Sequence, residues 1–235
     1  MSVSFSKTES FKLFDSIARR YDIINSVLSF GLHYGWRRIV RETLPKRPNI
    51  QVLDLATGTG DVALELVKSD NVARVDGLDM SAGMVEQGNK KVRKKSLHEK
   101  ISLKVGDAQD IPVEDCTYDA VTISFGIRNI PDVEKCLREC FRVLKPGGRL
   151  IVLEFALPSS ALLRKAHLFY LRNLLPKIGK ALSGHDIAYK YLNETIEEFP
   201  YGPSFVDLIN RCGFENNRYE ELTGGIVNIY WGDKN

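Results

Sequence analysis

Five short apolar segments alternate with helical stretches through the middle of the chain, and this alternation limits the fold more than any other feature. Residues 51–55, 74–79, 101–105, 118–124 and 149–155 are apolar and bounded by turn residues, the pattern of buried strands. Helical stretches fall near 61–68, 81–95 and 132–144. Strand and helix exchanged at this spacing build an α/β fold, a parallel sheet with helices on both faces. Lys145-Pro146-Gly147-Gly148 stops the last of these helices and turns the chain tightly.

The flanks follow other rhythms. Phe11, Phe14, Ile17, Tyr21, Ile24 and Leu28 recur at helical spacing, Ser29-Phe30-Gly31 interrupts, and Trp36, Ile39, Val40 and Leu44 resume the stripe until Pro45. After residue 155 the next crossover helix should follow quickly, yet residues 156–200 intervene. Leu162, Ala166, Phe169, Tyr170 and Leu174 share one helical face there, and an insertion of this length in an α/β unit is usually functional. A helix over 204–212 and a hairpin of 214–221 with 226–231, turning at Thr223-Gly224-Gly225, close the chain and make its last strand antiparallel. Without repeats or a linker this reads as one domain: an N-terminal helical cap over 1–45, a ligand-binding core over 50–155, a cap insertion over 156–200, and a C-terminal helix and hairpin over 201–235.

Composition excludes several classes. With 43% hydrophobic and 27% charged residues the chain supports a sizeable core and is not a disordered polymer. Its longest apolar runs are about four residues, such as Leu150 to Leu153, where a membrane span needs roughly 18. A net charge of +3 is too small to argue for nucleic acid. Lys7, Glu9, Lys12 and Asp15 stand where a signal peptide would be apolar, so a cytoplasmic protein is expected. Cys136 and Cys140 are four apart, but neither they nor Cys116 and Cys212 have the companions a zinc site needs; the expectation is four reduced thiols and no metal.

The segment from Val52 to Asp61 runs from a strand through Ala56-Thr57-Gly58-Thr59-Gly60 into a helix. Gly58 and Gly60 let the backbone approach a ligand closely. The third glycine of the dinucleotide fingerprint and the Lys-Ser/Thr of a phosphate loop are missing, which suits a nucleoside without a phosphate chain. Asp79 closes the second strand 19 residues beyond Gly60, where a carboxylate can accept both ribose hydroxyls. Gly106-Asp107-Ala108 follows the third strand, where the carboxylate could bind an exocyclic amine, and Ser124 ends the fourth. Individually Asp79 could cap the helix from Ser81 and Asp107 could be a turn residue. Their order at successive strand ends favours the nucleoside.

With these motifs the chain resembles class I S-adenosylmethionine-dependent methyltransferases, and more closely the ubiquinone/menaquinone biosynthesis C-methyltransferase family of the demethylmenaquinone type. The resemblance rests on Phe14 to Asp22 with Asn25, Leu28 to His33 with Trp36-Arg37-Arg38, Asp54 to Asp61, Thr122 to Asn129, Arg142 to Phe155, Phe199 to Pro203 and Leu222 to Ile226, nearly the whole chain. It implies a Rossmann-like sheet with a helical cap and S-adenosylmethionine as methyl donor. By position, Thr59, Asp79, Asp107, Ala108 and Ser124 match the family's cofactor contacts. Thr57 stands where some members have glycine, which Gly58 and Gly60 compensate. The implied reaction is methylation of a ring carbon of a polyprenylated quinol: demethylmenaquinol first, a 2-polyprenyl-6-methoxy-1,4-benzoquinol second. An O- or N-methyltransferase of small molecules, or a cofactor-holding subunit without chemistry, fits the N-terminal block and Arg128-Asn129 less well.

Carbon methylation needs an electron-rich ring carbon, hence a phenol that loses its proton, and a site shielded from water. Arg128 and Asn129 follow the fourth strand; Arg128 could stabilise a phenolate and Asn129 could orient a hydroxyl. His33 titrates near neutrality and could be the base, or could be structural beside Trp36. Tyr21 is a further candidate, or core. The substrate's tail lies in a bilayer, so peripheral contact with the inner face of the membrane is expected. Arg164, Lys165, Arg172, Lys177 and Lys180 beside Leu162, Phe169 and Leu174 form a basic amphipathic pattern suited to it, or to a cap with solvated lysines. The run from Lys90 to Lys95 reads as a solvated helix face, and exposed apolar cap faces could support a homodimer.

Overall fold

The computed structural model of the chain describes residues 7, 10–18, 21–177 and 186–235. Glu9 and Lys180, named above, lie outside the described residues, as do residues 19 and 20 of the Phe14 to Asp22 block and the Ile17 side chain. The strands are β1 (Ile50–Leu55), β2 (Val72–Asp79), β3 (Ile101–Val105), β4 (Tyr118–Ser124), β5 (Leu144–Phe155), β6 (Glu215–Leu222) and β7 (Val227–Lys234). They form one sheet in the order β3-β2-β1-β4-β5-β7-β6. β1 to β5 pair in parallel, and β7 runs against both β5 and β6. The sheet order reverses between β1 and β4, which opens a crevice at the carboxyl ends of those strands.

The helices are α1 (Ser10–Ile17), α2 (Tyr21–Leu28), α3 (Leu32–Glu42), α4 (Asp61–Leu66), α5 (Ala82–Lys94), α6 (Val133–Val143), α7 (Ala161–Phe169), α8 (Asp186–Glu198) and α9 (Pro203–Arg211). Local signals explain several boundaries. Ser81 caps α5 by accepting from Met84 N at 3.1 Å, and Asp132 caps α6 by accepting from Lys135 N at 2.9 Å. The Lys-Pro-Gly-Gly segment stops α6, but β5 already begins at Leu144: the register slips between Tyr118 and Ala120, and the turn loops out of the strand.

One core, built from α6, α9 and one sheet face, includes Leu137, Cys140, Phe205 and Ile209; the opposite core holds Trp36, Val40, Ala63, Leu66 and Val92 against Val52 and Val75. A third cluster joins Ile24 of α2 to Leu171, Leu175, Tyr191 and Ile196. Tyr170 OH donates to Leu28 O at 2.8 Å, so the N-terminal helices and the inserted segment meet above the strand ends.

Two details depart from the helical patterns read from sequence. The face from Leu162 to Leu174 is split: Leu162, Phe169 and Leu174 are exposed away from a cavity that Ala166 and Tyr170 line with Leu163, His167 and Leu171, Leu163 and Ala166 standing at its exposed rim. A π-helical stretch, Tyr170–Leu174, follows α7 and shifts the phase. Lys91 is not a solvated member of its charge run. Its Nζ lies 2.6 Å from both Asp22 and Asp61 and 2.8 Å from Thr59 Oγ1, tying α2 and α5 to the glycine loop.

Candidate active site

The turn from β1 into α4 is held from below by Asp54, which is buried between two hydroxyls. Its Oδ2 accepts from Thr57 Oγ1 and its Oδ1 from Thr122 Oγ1, each at 2.6 Å, and burial pushes its pKa up to about 6. Gly60 has φ +77°, and a Cβ there would lie 2.8 Å from Leu103 Cδ1. A Cβ on Gly126 would lie 2.3 Å from the Ala56 Cβ, so glycine lets the β1 and β4 ends approach.

Asp79 joins the glycine loop to the start of α5. Its Oδ2 accepts from Gly58 N and its Oδ1 from Ser81 N, both at 2.8 Å, and burial outweighs these bonds to raise its pKa. Ser81 is the helix cap; Asp79 fastens the loop and keeps lone pairs for a ligand. Asp107 accepts from Gln109 N at 2.8 Å.

These groups border a cleft along the strand ends, in which Gly58, Asp79, Asp107, Ala108, Ser124 and Asn129 take part. Thr59 and Gly60 do not line it. Thr59 is buried, donating to Asp22 Oδ1 at 2.6 Å and accepting from Lys91, so it fixes the cap to the loop. Ser124 Oγ and Asn129 Oδ1 are buried without a partner among the described residues. A nucleoside with hydroxyl and amino groups fits this wall, because it would satisfy the orphaned atoms and use the two carboxylates.

A second cavity opens under the cap and is mostly apolar, with Ile24, Leu28, Phe155, Leu163, Leu171 and Ile196 in its wall. The two spaces share Phe14, Tyr21 and Phe125, so Tyr21 stands where they meet. Burial raises the Tyr21 pKa. His33 lines the second cavity, and its Nδ1 is 2.6 Å from Ser29 Oγ. The same hydroxyl lies 2.6 Å from Asn25 O; when it donates there, Nδ1 carries the imidazole proton and Nε2 is the basic nitrogen. Burial, and then the charge of Arg37, lowers the His33 pKa.

Sequence leaves Arg128 a fixed cation facing the acceptor; in the structure its charge is already matched. Its Nη1 donates to Glu154 Oε1 at 2.7 Å and to Phe125 O at 2.5 Å, with both side chains buried. Arg128 lines the second cavity and Asn129 the first, so the neighbours diverge. Sequence reading also misses Glu154 and Asp54 as site supports. A carboxylate inside a buried parallel strand is the available signal for both.

A seven-stranded sheet of this order, with a nucleoside-type cleft at the end of β1, defines the Rossmann-like class I methyltransferase fold. A solved S-adenosylmethionine-dependent methyltransferase from Thermotoga maritima, described as a possible histamine N-methyltransferase, shares it with a TM-score of 0.70 at 20% identity, over 96% of this chain and 100% of that one. The particular family follows from sequence: residues 3–234 match the ubiE/COQ5 methyltransferase family, and the chain belongs to it. A ubiquinone/menaquinone biosynthesis C-methyltransferase from Geotalea daltonii is 43% identical over 95% of each chain. A demethylmenaquinone methyltransferase from Desulfitobacterium hafniense is 36% identical over 94% of this chain and 88% of its own.

Proposed function

We propose that this protein transfers a methyl group from S-adenosylmethionine to a ring carbon of a polyprenylated quinol in quinone biosynthesis, with demethylmenaquinol as the favoured substrate. The observation that carries the reading is the pair of cavities, one bordered by the strand-end groups Asp79, Asp107, Ser124 and Asn129, the other almost wholly apolar, meeting at Tyr21 and Phe125. Family membership supports the reaction class, and the Desulfitobacterium relative's name supports the naphthoquinol.

Asp79, Asp107, Ala108, Ser124 and Gly58 would hold S-adenosylmethionine, which supplies a methyl group already activated on a sulfonium. His33 Nε2 takes the proton of the hydroxyl beside the accepting carbon. Its lowered pKa keeps it neutral and ready at pH 7, and Ser29 holds its tautomer. The Arg128–Glu154 pair fixes the 3-10 turn Ile127–Asn129, and through it Asn129 at the first cavity. The cap excludes water from the quinol ring.

Among the described residues no helix is long and apolar enough to cross a membrane. The prenyl tail reaches the enzyme from a bilayer, and we assign docking to the exposed Phe30, Leu162 and Phe169, with Phe169 and Lys165 sharing one surface groove of α7 and Phe30 next to Tyr170, rather than assigning these side chains to a second copy. The test of the reading is incubation with methyl-labelled S-adenosylmethionine and, in separate reactions, reduced 2-prenyl-1,4-naphthoquinol and 2-prenyl-6-methoxy-1,4-benzoquinol. Label should enter the naphthoquinol faster; label in neither quinol overturns the reading.

A further inference from the structure

The polar atoms around the second cavity are almost all engaged. Trp36 Nε1 donates to Thr223 Oγ1 at 2.8 Å, Tyr170 OH to Leu28 O at 2.8 Å, and Arg37 pairs with Asp61 at 2.8 Å. Ser29 bridges Asn25 and His33, and Arg128 donates through Nη1 to Glu154 and Phe125 O while its Nε is buried without a partner among the described residues. His167 is a further exception, and an uncharged one. It lies on the inner face of α7, lines this cavity and is 8% exposed, and its Nε2 is buried with no partner among the described residues. A buried ring nitrogen left unpaired is costly, so such atoms mark places where a ligand's polar group belongs.

Resting on the quinol reading, we propose that His167 Nε2 hydrogen-bonds the quinol hydroxyl remote from the methyl-accepting carbon, and so determines which ring carbon meets the methyl donor. A prenyl tail has no polar atom to offer Nε2, so the occupant there must be a ring oxygen. The two histidines divide the two hydroxyls. His33 lies one helical turn from Arg37 on α3, and Arg37 pairs at 2.8 Å with Asp61, the first residue of α4 after the glycine loop. His167 lies on α7 in the segment inserted after β5, where the wall of the cavity is apolar and includes Leu163 and Leu171. A neutral imidazole there can give or accept the bond. The hydroxyl next to the accepting carbon therefore goes to His33 and the far one to His167, which acts as a positioning residue and takes no proton.

The experiment compares reduced 2-prenyl-1,4-naphthoquinol with its 1-O-methyl ether, which masks the remote hydroxyl, on the wild type, His167→Leu and His167→Gln. Wild type should prefer the free quinol on the order of tenfold in kcat/KM, the scale of one neutral hydrogen bond, mostly through KM. His167→Leu should lose that preference and treat both compounds alike, with unchanged affinity for S-adenosylmethionine. His167→Gln should keep part of it. Preference retained in His167→Leu would overturn the assignment. Quenching of Trp36 fluorescence reads ligand binding without turnover. Binding that depends on His167, with no methylation, would uphold the contact and refute the quinol-methylation reading instead.

Discussion

Replacing Arg128 by alanine removes the cation from a carboxylate that water cannot reach. Glu154 is 1% exposed and Arg128 4%. In the variant Glu154 keeps only the N–H of Phe155 at 2.8 Å and a long contact of 3.4 Å from the backbone N of residue 128. Breaking one side of a buried ion pair costs about 3–5 kcal/mol. At about 2–4 °C per kcal/mol for a chain of this size, melting should fall by roughly 6–20 °C. Burial already holds the Glu154 pKa above its ordinary value, and loss of Arg128 raises it further. A carboxyl raised in the folded state favours folding at low pH and loses that contribution as pH rises, so the deficit should be larger at pH 8 than at pH 5.5. Arg128→Ala combined with Glu154→Gln should recover at least half of the lost stability, and methyl transfer with it. Calorimetric melting and single-turnover kinetics on the three proteins test this. An Arg128→Ala melting point within about 2 °C of wild type would refute the buried-pair argument. A folded double variant still roughly 100-fold slow would return Arg128 to a direct electrostatic role on the phenolate.

Asp79→Ala should weaken S-adenosylmethionine binding by about 2–3 kcal/mol, roughly 30- to 150-fold by calorimetry, and Asp79→Asn by less, because the amide oxygen can still accept from Gly58 or Ser81. His33→Gln should slow methyl transfer and abolish the rate loss that wild type shows as acid protonates the imidazole below its ordinary pKa of 6.5; a retained acid limb would place the base elsewhere. Asp54 is raised from 3.8 to about 6, so wild type should lose up to about 3 kcal/mol relative to Asp54→Asn as pH rises from 4 to 7. Denaturant titrations at both ends check this, and a constant difference would show that Asp54 does not titrate.

Strands were legible wherever apolar runs ended at turn residues: β3 and β4 have the boundaries read from sequence. The strand-end residues Asp79, Asp107 and Ser124 were legible too, because parallel topology brings successive strand ends to one crevice. Long-range pairings were not. Nothing in the sequence couples Arg128 to Glu154, or Lys91 to Asp22 and Asp61, since such bonds depend on how distant segments dock. The two-faced packing of residues 161–174 was hidden because helical periodicity assumes a constant turn, and the π-helical stretch alters it. His167 looks like any histidine on a basic helix until the cavity behind it is seen.

The central claim is that a methyl group crosses from the nucleoside cleft to a ring carbon in the apolar cavity. The most direct measurement uses S-adenosylmethionine carrying a carbon-13 methyl group with reduced 2-prenyl-1,4-naphthoquinol, followed by carbon NMR of the extracted, reoxidised product. The account predicts a single labelled methyl on the ring carbon adjacent to the prenyl-bearing one. Label in a methoxy group, or no labelled quinone, would contradict it.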